Sequence, residues 1–415
     1  MGSTNRLRAG KQTPRGMPLE RNVKVIFSAG LLSAFILGVF EIMFPLYLDY
    51  RGISLIDMGL IFSVSTFVIS FLRIFLGEYT DVYGRKKVYL SSSAFGIVAK
   101  GLFPFSAGQL EILISKFLND LESSLRMSVH NIMLYENARK AYARLFSWFT
   151  ASNFILQAIG TLSFAVLLAG LGYSGLFFAL SGAEIAKLLV ILAYKENRQA
   201  RPGKKVSMKE AYSFKLDRSL KVLALSSAIS ALAFGIPHGF LLPLYFVGKY
   251  QLDAAQLSVV TAIHRLSFLT TPLADKVIGR LGLRRTYILS TLAYAVSFSA
   301  VGFVSLPIFL FLPIFLIHDL LGGGIGMTAM NVMVQNLTDD DTRGRQVNAM
   351  EAIRTPMAIV APSIAGILAA ASWDLIFMAG GLLYFAALAV FVLLFRGQDY
   401  TSASGDGQDE GSSKS

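Results

Sequence analysis

Several ionisable residues of this chain sit inside otherwise apolar stretches, and four of them fall at helical spacing. Lys116 and Asp120 stand four residues apart, as do Glu122 and Arg126. Residues at that spacing share one helix face, and the second pair lies roughly 120–160° round the helix from the first. At about 4 Å and an effective dielectric near 20, each pair attracts by about 4 kcal/mol. That is comparable with the ~2.5–3.5 kcal/mol cost of one charge at the centre of a bilayer. Such pairs can do two kinds of chemistry. They can lock helices together, or one can open and let a proton or an ionic solute replace the missing partner. Lys116 and Asp120 lie near the middle of their apolar run and suit exchange. Glu122 and Arg126 lie deeper and suit a structural ion pair.

Other apolar runs carry Glu41, His238 and the adjacent His318-Asp319. Histidine titrates nearest physiological pH, so these residues join Lys116 and Asp120 as candidates for substrate binding and proton coupling. Tyr47 and Tyr245 are either cavity residues or interfacial anchors. Arg73, His264 and Arg265 are expected to be structural, snorkelling toward one interface. Glu351 and Arg354 are placed just inside their span, while Lys100, Glu184 and Lys187 receive no role. The run Gly322-Gly323-Gly324 with Gly326 lacks the Lys-Ser/Thr of a phosphate loop and reads as a point of close helix approach. The acids and histidines are suitable metal ligands. They are dispersed over four helices without a ligand-spacing motif, and Lys116 and Arg126 oppose a cation, so no metal is expected. There is no cysteine, which removes thiolate chemistry. No catalytic motif or cofactor is expected, and the chain does not read as an enzyme.

The elements that must hold these charges are membrane helices. Of the 415 residues, 54% are hydrophobic and only 15% charged, against about 25% charged in a soluble protein. Apolar runs of about 20 residues, enough to cross a ~30 Å core, recur roughly at 23–50, 54–80, 88–106, 109–135, 144–171, 175–194, 219–248, 254–275, 286–306, 308–336, 347–371 and 374–395. Strict alternation over about ten residues, the mark of a barrel, is missing. The chain is therefore expected to be an all-α membrane protein of twelve transmembrane helices in two pseudo-symmetric six-helix bundles. The net charge of +12 does not point to nucleic acid. Arg85-Lys86-Lys87, Arg139-Lys140, the stretch from Lys195 to Lys221, and Arg284-Arg285 all fall in connections on one side. The positive-inside rule puts that side, with both termini, in the cytoplasm. The expected organisation is a cytoplasmic tail over 1–22, bundles over 23–195 and 219–396, a linker over 196–218 and a disordered tail over 397–415. The bundles echo each other: Phe44-Pro45-Leu46-Tyr47 matches Leu242-Pro243-Leu244-Tyr245, and Asn131-Ile132-Met133 matches Asn331-Val332-Met333.

Between spans 2 and 3 the chain reads Gly77-Glu78-Tyr79-Thr80-Asp81-Val82-Tyr83-Gly84-Arg85-Lys86-Lys87, with a degraded copy, Asp275, Gly282, Arg284 and Arg285, between spans 8 and 9. This stretch resembles the signature of the major facilitator superfamily, and with the span count the resemblance covers nearly the whole chain. It implies secondary transport by alternating access, a cavity lined by spans 1, 4, 7 and 10, and a conformational latch formed by Gly77, Asp81, Gly84, Arg85 and Asp275. The Gly-Pro-rich motif of span 5 in drug/proton antiporters is absent; Asn153, Gln157 and Gly160 stand there. The expected function is transport of a small polar or charged organic solute, coupled to protons, by a monomer in the plasma (inner) membrane. Two alternatives stay open: efflux of drugs or lipophilic cations by proton antiport, and a membrane sensor or scaffold that moves nothing.

Overall fold

The computed structural model describes residues 21–138, 142–196, 216–338 and 343–396, without the side chains of 73–82, 142–144, 147 and 343–345. The expected tails, most of the linker, and the side chains of Gly77, Asp81 and Arg73 lie outside the described residues. Among the described residues there is helix and no strand. Span 1 is Arg21–Tyr50, span 2 Leu55–Tyr83, span 3 Arg85–Leu102 and span 4 Gln109–Asn137. Tyr142–Leu192 crosses twice, turning at Gly172, whose φ is +63°. Spans 9, 11 and 12 are Leu283–Phe303, Arg343–Ala371 and Trp373–Leu394.

Spans 7, 8 and 10 are each broken. Span 7 is Arg218–Gly235 followed by Leu241–Tyr250. Between them lie Pro237, which has no amide hydrogen to donate, and Gly239 at φ +61°. Span 8 runs Ala254–Ser267, tightens to a 3-10 turn at Phe268–Leu273, and resumes at Ala274–Leu281. Thr270 and Thr271 donate their hydroxyls to the carbonyls of Ser267 and Phe268, at 3.1 and 2.6 Å, where the helix changes pitch. Span 10 is Ile308–Ile317 and Gly324–Leu337 joined by a π-helical turn at His318–Gly323.

Nine helical stretches among the described residues are long and apolar enough to cross a membrane. One of them, Trp148–Leu192, holds two spans. Span 4 falls outside the set because of its charges and span 8 because of its break, which reconciles that number with twelve crossings.

Helix starts follow local chemistry. Ser54, Asp217 and Asp253 each accept a hydrogen bond from a backbone amide of the first turn, Asp57 N at 3.1 Å, Leu220 N at 2.7 Å and Gln256 N at 2.8 Å. These caps satisfy amides that have no partner inside the helix. The repeat is visible in the backbone. Gly84 ends span 2 at φ +85°, ψ 156°, and Gly282 ends span 8 at φ +79°, ψ 161°. Residues 131–134 and 331–334 share one burial pattern, two exposed then two buried.

The ends of spans 6 and 7 mark one face of the bundle, here the linker face; Tyr50, Leu55 and Tyr250 mark the far face. The two halves meet toward the far face. Phe62 of span 2 stacks on Phe240 of span 7 with centroids 4.8 Å apart, and one apolar core runs through both halves there. Ser63 and Ser363 are joined hydroxyl to hydroxyl at 2.8 Å, and the Ser363 amide donates to Ser63 Oγ at 3.0 Å. A Cβ at Gly59 would stand 2.5 Å from the Pro362 carbonyl oxygen, and one at Gly366 would stand 2.3 Å from that of Leu55. Spans 2 and 11 therefore approach backbone to backbone, the use membranes make of small residues. Tyr47 and Tyr245 are buried, which corrects the expectation of interfacial anchors. Tyr47 donates to the Phe103 carbonyl at 3.0 Å, and Tyr245 packs among Phe246, Phe311 and Phe377.

With no native cysteine to interfere, Ser63→Cys combined with Ser363→Cys tests this contact. Oxidation is expected to join the two halves, visible as a reducible mobility shift on gels. Two cysteines that stay unlinked under oxidant would contradict the far-face contact.

Candidate functional site

The candidate residues fall into three groups, each positioned by different helices. The first joins the halves. Arg265 of span 8 pairs with Glu41 of span 1, donates from Nη1 to Gln157 Oε1 at 2.6 Å, and donates from Nε to Thr161 Oγ1 at 3.1 Å, both on span 5. Glu41 keeps 48% side-chain exposure, and Phe62 and Phe240 stack between the halves toward the far face. Span 8 runs from Ala254 to Leu281, so Arg265 lies near its middle. This corrects the expectation of a snorkelling residue near one end. Its role was missed because nothing local to span 8 names a partner 224 residues away.

Lys116 and Asp120 form the expected pair on span 4. Asp120 also accepts the Ser65 hydroxyl at 2.6 Å, tying span 4 to span 2. Lys116 lies over the ring of Phe62, 4.6 Å from its centroid. The pair therefore touches the same aromatic side chain that meets the other half.

The second group is buried wholly within the N-terminal half. Glu122 Oε1 accepts from Arg126 Nε at 3.0 Å and from Lys187 Nζ at 2.6 Å. Lys187 also contacts Glu184 Oε2 at 2.5 Å, and Glu184 Oε1 meets Lys100 at 3.0 Å. Lys100 completes the chain by donating to Asn119 Oδ1 at 3.0 Å. Glu122 and Arg126 are thus paired as expected, but inside a five-charge network that gives Lys100, Glu184 and Lys187 their roles. Three cations and two anions leave one positive charge in surplus among the described residues. Beside them a cleft of about 10 Å³, lined by Ser33, Asn119, Ser123 and Arg126, has room for about one water.

The third group lies within the C-terminal half. Asp319, fully buried, stands 2.8 Å from His264 Nε2 and 3.0 Å from His318 Nε2. It accepts the Ser267 hydroxyl at 2.9 Å, and His318 Nε2 lies 3.1 Å from His238 Nε2. His264, expected to be structural, is drawn into this cluster. The candidates His238, His318 and Asp319 are therefore separated from Glu41, Lys116 and Asp120.

Of the expected latch, Gly84, Arg85 and Asp275 are described with their side chains. The Arg85 amide donates to Glu196 Oε1 at 2.6 Å, and its guanidinium stands 3.8 Å from Glu136. Asp275 is exposed on the other half. Glu351 and Arg354 pair with each other at 3.3 Å on the surface of span 11.

Two helical bundles, the C-terminal one with three broken spans, thus meet around the ionic contact of Glu41 with Arg265. The family model described as Major Facilitator Superfamily matches residues 26–264 and 223–414, and the chain belongs to that superfamily. It is 23% identical over 298 residues, 69% of this chain and 74% of the relative, to the tetracycline resistance protein, class G, of Vibrio anguillarum. Among solved structures, the nucleoside transporter NupG superposes with a TM-score of 0.78 at 11% identity, covering 90% of this chain and all of that one (100%). A bacterial homologue of the iron transporter ferroportin, in its inward-facing state, superposes with a TM-score of 0.74 at 16% identity, over 91% of this chain and 100% of that one. At such identities the likeness to these structures concerns the fold.

Removing a carboxylate from the N-terminal network, which already holds one surplus cation, leaves buried positive charge uncompensated, which costs about 3–5 kcal/mol. Glu122→Gln, which strips Arg126 of its carboxylate and leaves three cations facing Glu184 alone, is expected to lower the unfolding midpoint in detergent accordingly. Arg354→Ala, which opens an exposed pair, should change stability by no more than about 0.5 kcal/mol. Equal effects of the two substitutions would show that the network is not holding the half together.

Proposed function

We propose that the chain is a secondary active transporter that moves a small polar or charged organic solute by alternating access, coupled to protons, with the linker face in the cytoplasm. The observation that carries this reading is the Glu41–Arg265 pair. It spans the two halves with its carboxylate half-exposed, and toward the far face the halves are in contact through Phe62 and Phe240. If the halves rock about this level, Arg265 must withdraw from Glu41. A carboxylate stripped of its cation in a poorly polar site regains balance by taking a proton or a cationic group of the solute. Asp120, held by Lys116 and Ser65, stands beside the same interface and can exchange partners in the same way. The surplus positive charge of the adjacent network favours a solute with an anionic group. Gly84, Arg85 and Asp275, with Gly77 and Asp81, suit the latch role on the linker face through the paired turns.

A second reading, efflux of a lipophilic drug by proton antiport, draws on the likeness to the tetracycline resistance protein and on the aromatic contact of Phe62 with Phe240 between the halves.

Purified protein in proteoliposomes, challenged with a panel of organic anions, nucleosides, sugars and tetracycline, tests both. The expected result is uphill accumulation of a polar solute that follows an imposed pH gradient. Glu41→Gln should abolish gradient-driven accumulation yet leave exchange measurable. Flux that ignores the pH gradient would remove proton coupling, and movement of tetracycline alone would replace the leading reading by the second.

A further inference from the structure

The C-terminal histidine cluster is not needed for the pairing described at the interface, and its hydrogen bonds do not close. The carbonyl of Phe315 can only accept, so the contact from His318 Nδ1 puts a proton on that nitrogen. In a neutral ring His318 Nε2 is then a lone pair, served by His238 Nε2–H at 3.1 Å. It has nothing to donate to Asp319 Oδ1, 3.0 Å away. Among buried atoms left without a hydrogen-bond partner are Asp319 Oδ1, His264 Nε2 and His238 Nδ1. His264 Nε2 stands 2.8 Å from Asp319 Oδ2, near enough to touch but out of line for a hydrogen bond. A buried carboxylate is thus supported by the Ser267 hydroxyl alone, in a site where an unsatisfied charge is costly. The pocket is short of one cation.

The backbone points to the same place. His238 occupies the break in span 7, His264 precedes the 3-10 turn of span 8, and His318 and Asp319 open the π turn of span 10. Interrupted membrane helices and π turns gather at binding sites. The ligand nitrogens of His238, His264 and His318 all lie within 4.8 Å of one another. A tetrahedral ion with bonds of about 2.0–2.1 Å holds its ligands about 3.3 Å apart, so the three imidazoles would draw together on it, and Asp319, outside that trio but 2.8 and 3.0 Å from two of its nitrogens, would be the fourth ligand. The Phe315 carbonyl supplies the support that fixes a ligating histidine ring. Arg265, the neighbouring cation in sequence, is engaged by Glu41, Gln157 and Thr161. Lys116 and Arg126, which argued against a metal in the sequence, belong to the other half. Phe234, Phe298 and Phe315 pack around the rings and exclude water.

We propose that His238, His264, His318 and Asp319 bind one divalent first-row transition-metal ion of the Zn²⁺ or Co²⁺ type. Three imidazoles and one carboxylate select such ions over Mg²⁺ or Ca²⁺, which prefer all-oxygen shells. The site lies inside the C-terminal half and stands independently of the solute reading given above.

Full-length protein freed of any histidine tag, stripped with chelator and titrated with Co²⁺, tests this. The expected result is one equivalent bound, with the intense visible bands of a four-coordinate ion, displaced by Zn²⁺. His238→Gln and Asp319→Asn should weaken binding by at least about tenfold, whereas Glu351→Gln, on the exposed surface, should leave it unchanged. If the cluster variants do not fold, the wild-type spectrum decides. Wild-type protein that binds no Co²⁺, or shows only weak six-coordinate bands, overturns the proposal in favour of a merely protonated cluster. Binding unaltered in a folded His238→Gln or Asp319→Asn protein overturns it as well.

Discussion

Every charge placed inside this membrane fold must meet an opposite charge or a strong dipole, because the surroundings cannot solvate it. The placement of side chains in both halves follows from that constraint. In the N-terminal half it is met by a closed chain of five charges running from Arg126 to Lys100 and ending on Asn119. In the C-terminal half the pseudo-equivalent of Asn119 is Asp319, and its surroundings are imidazoles rather than ammonium groups. The same position in the two repeats thus anchors a polar core of different chemistry. Each core ties several spans of its own half together, which suits bundles that move as units.

Between the bundles the interactions are of another kind. Toward the far face they are apolar stacking and backbone contact over small residues, at Phe62 with Phe240 and at Gly59 and Gly366 with their opposing carbonyls. Such surfaces can separate without leaving a charge bare. Among the described residues one ion pair, Glu41 with Arg265, crosses from one bundle to the other. The proposed cycle needs this division: permanent pairs within the halves and one exchangeable pair between them.

Much of this was legible in the sequence. Apolar runs set the twelve crossings, and the repeated Pro-Leu-Tyr and Asn-x-Met segments, about 200 residues apart, announced two related halves. The pairs Lys116–Asp120 and Glu122–Arg126 followed from helical spacing alone. What escaped were partners set by tertiary packing. Lys187 lies 65 residues from Glu122 and Arg265 lies 224 from Glu41, and no local pattern joins them. The helix breaks escaped because apolar composition continues through them. Pro237, Pro272 and the glycines after Leu321 were visible, but a proline or glycine marks a weak point without saying whether a helix yields there. The histidines looked dispersed because they stand on three different spans; at the three breaks their nitrogens come within 4.8 Å.

The neutrality of the ion pair that bridges the bundles has an electrical consequence. Glu41 and Arg265 sum to zero, as do Lys116 and Asp120. A unit charge crossing the full transmembrane potential gains or loses about 2.3 kcal/mol per 100 mV. In the proposed cycle these groups sum to zero whether the pairs are closed or parted, so an empty carrier shifts little net charge through that field and its return stroke is nearly insensitive to voltage. In that proposed cycle the electrogenic character of turnover is dictated by the valence of the cargo and the protons that accompany it.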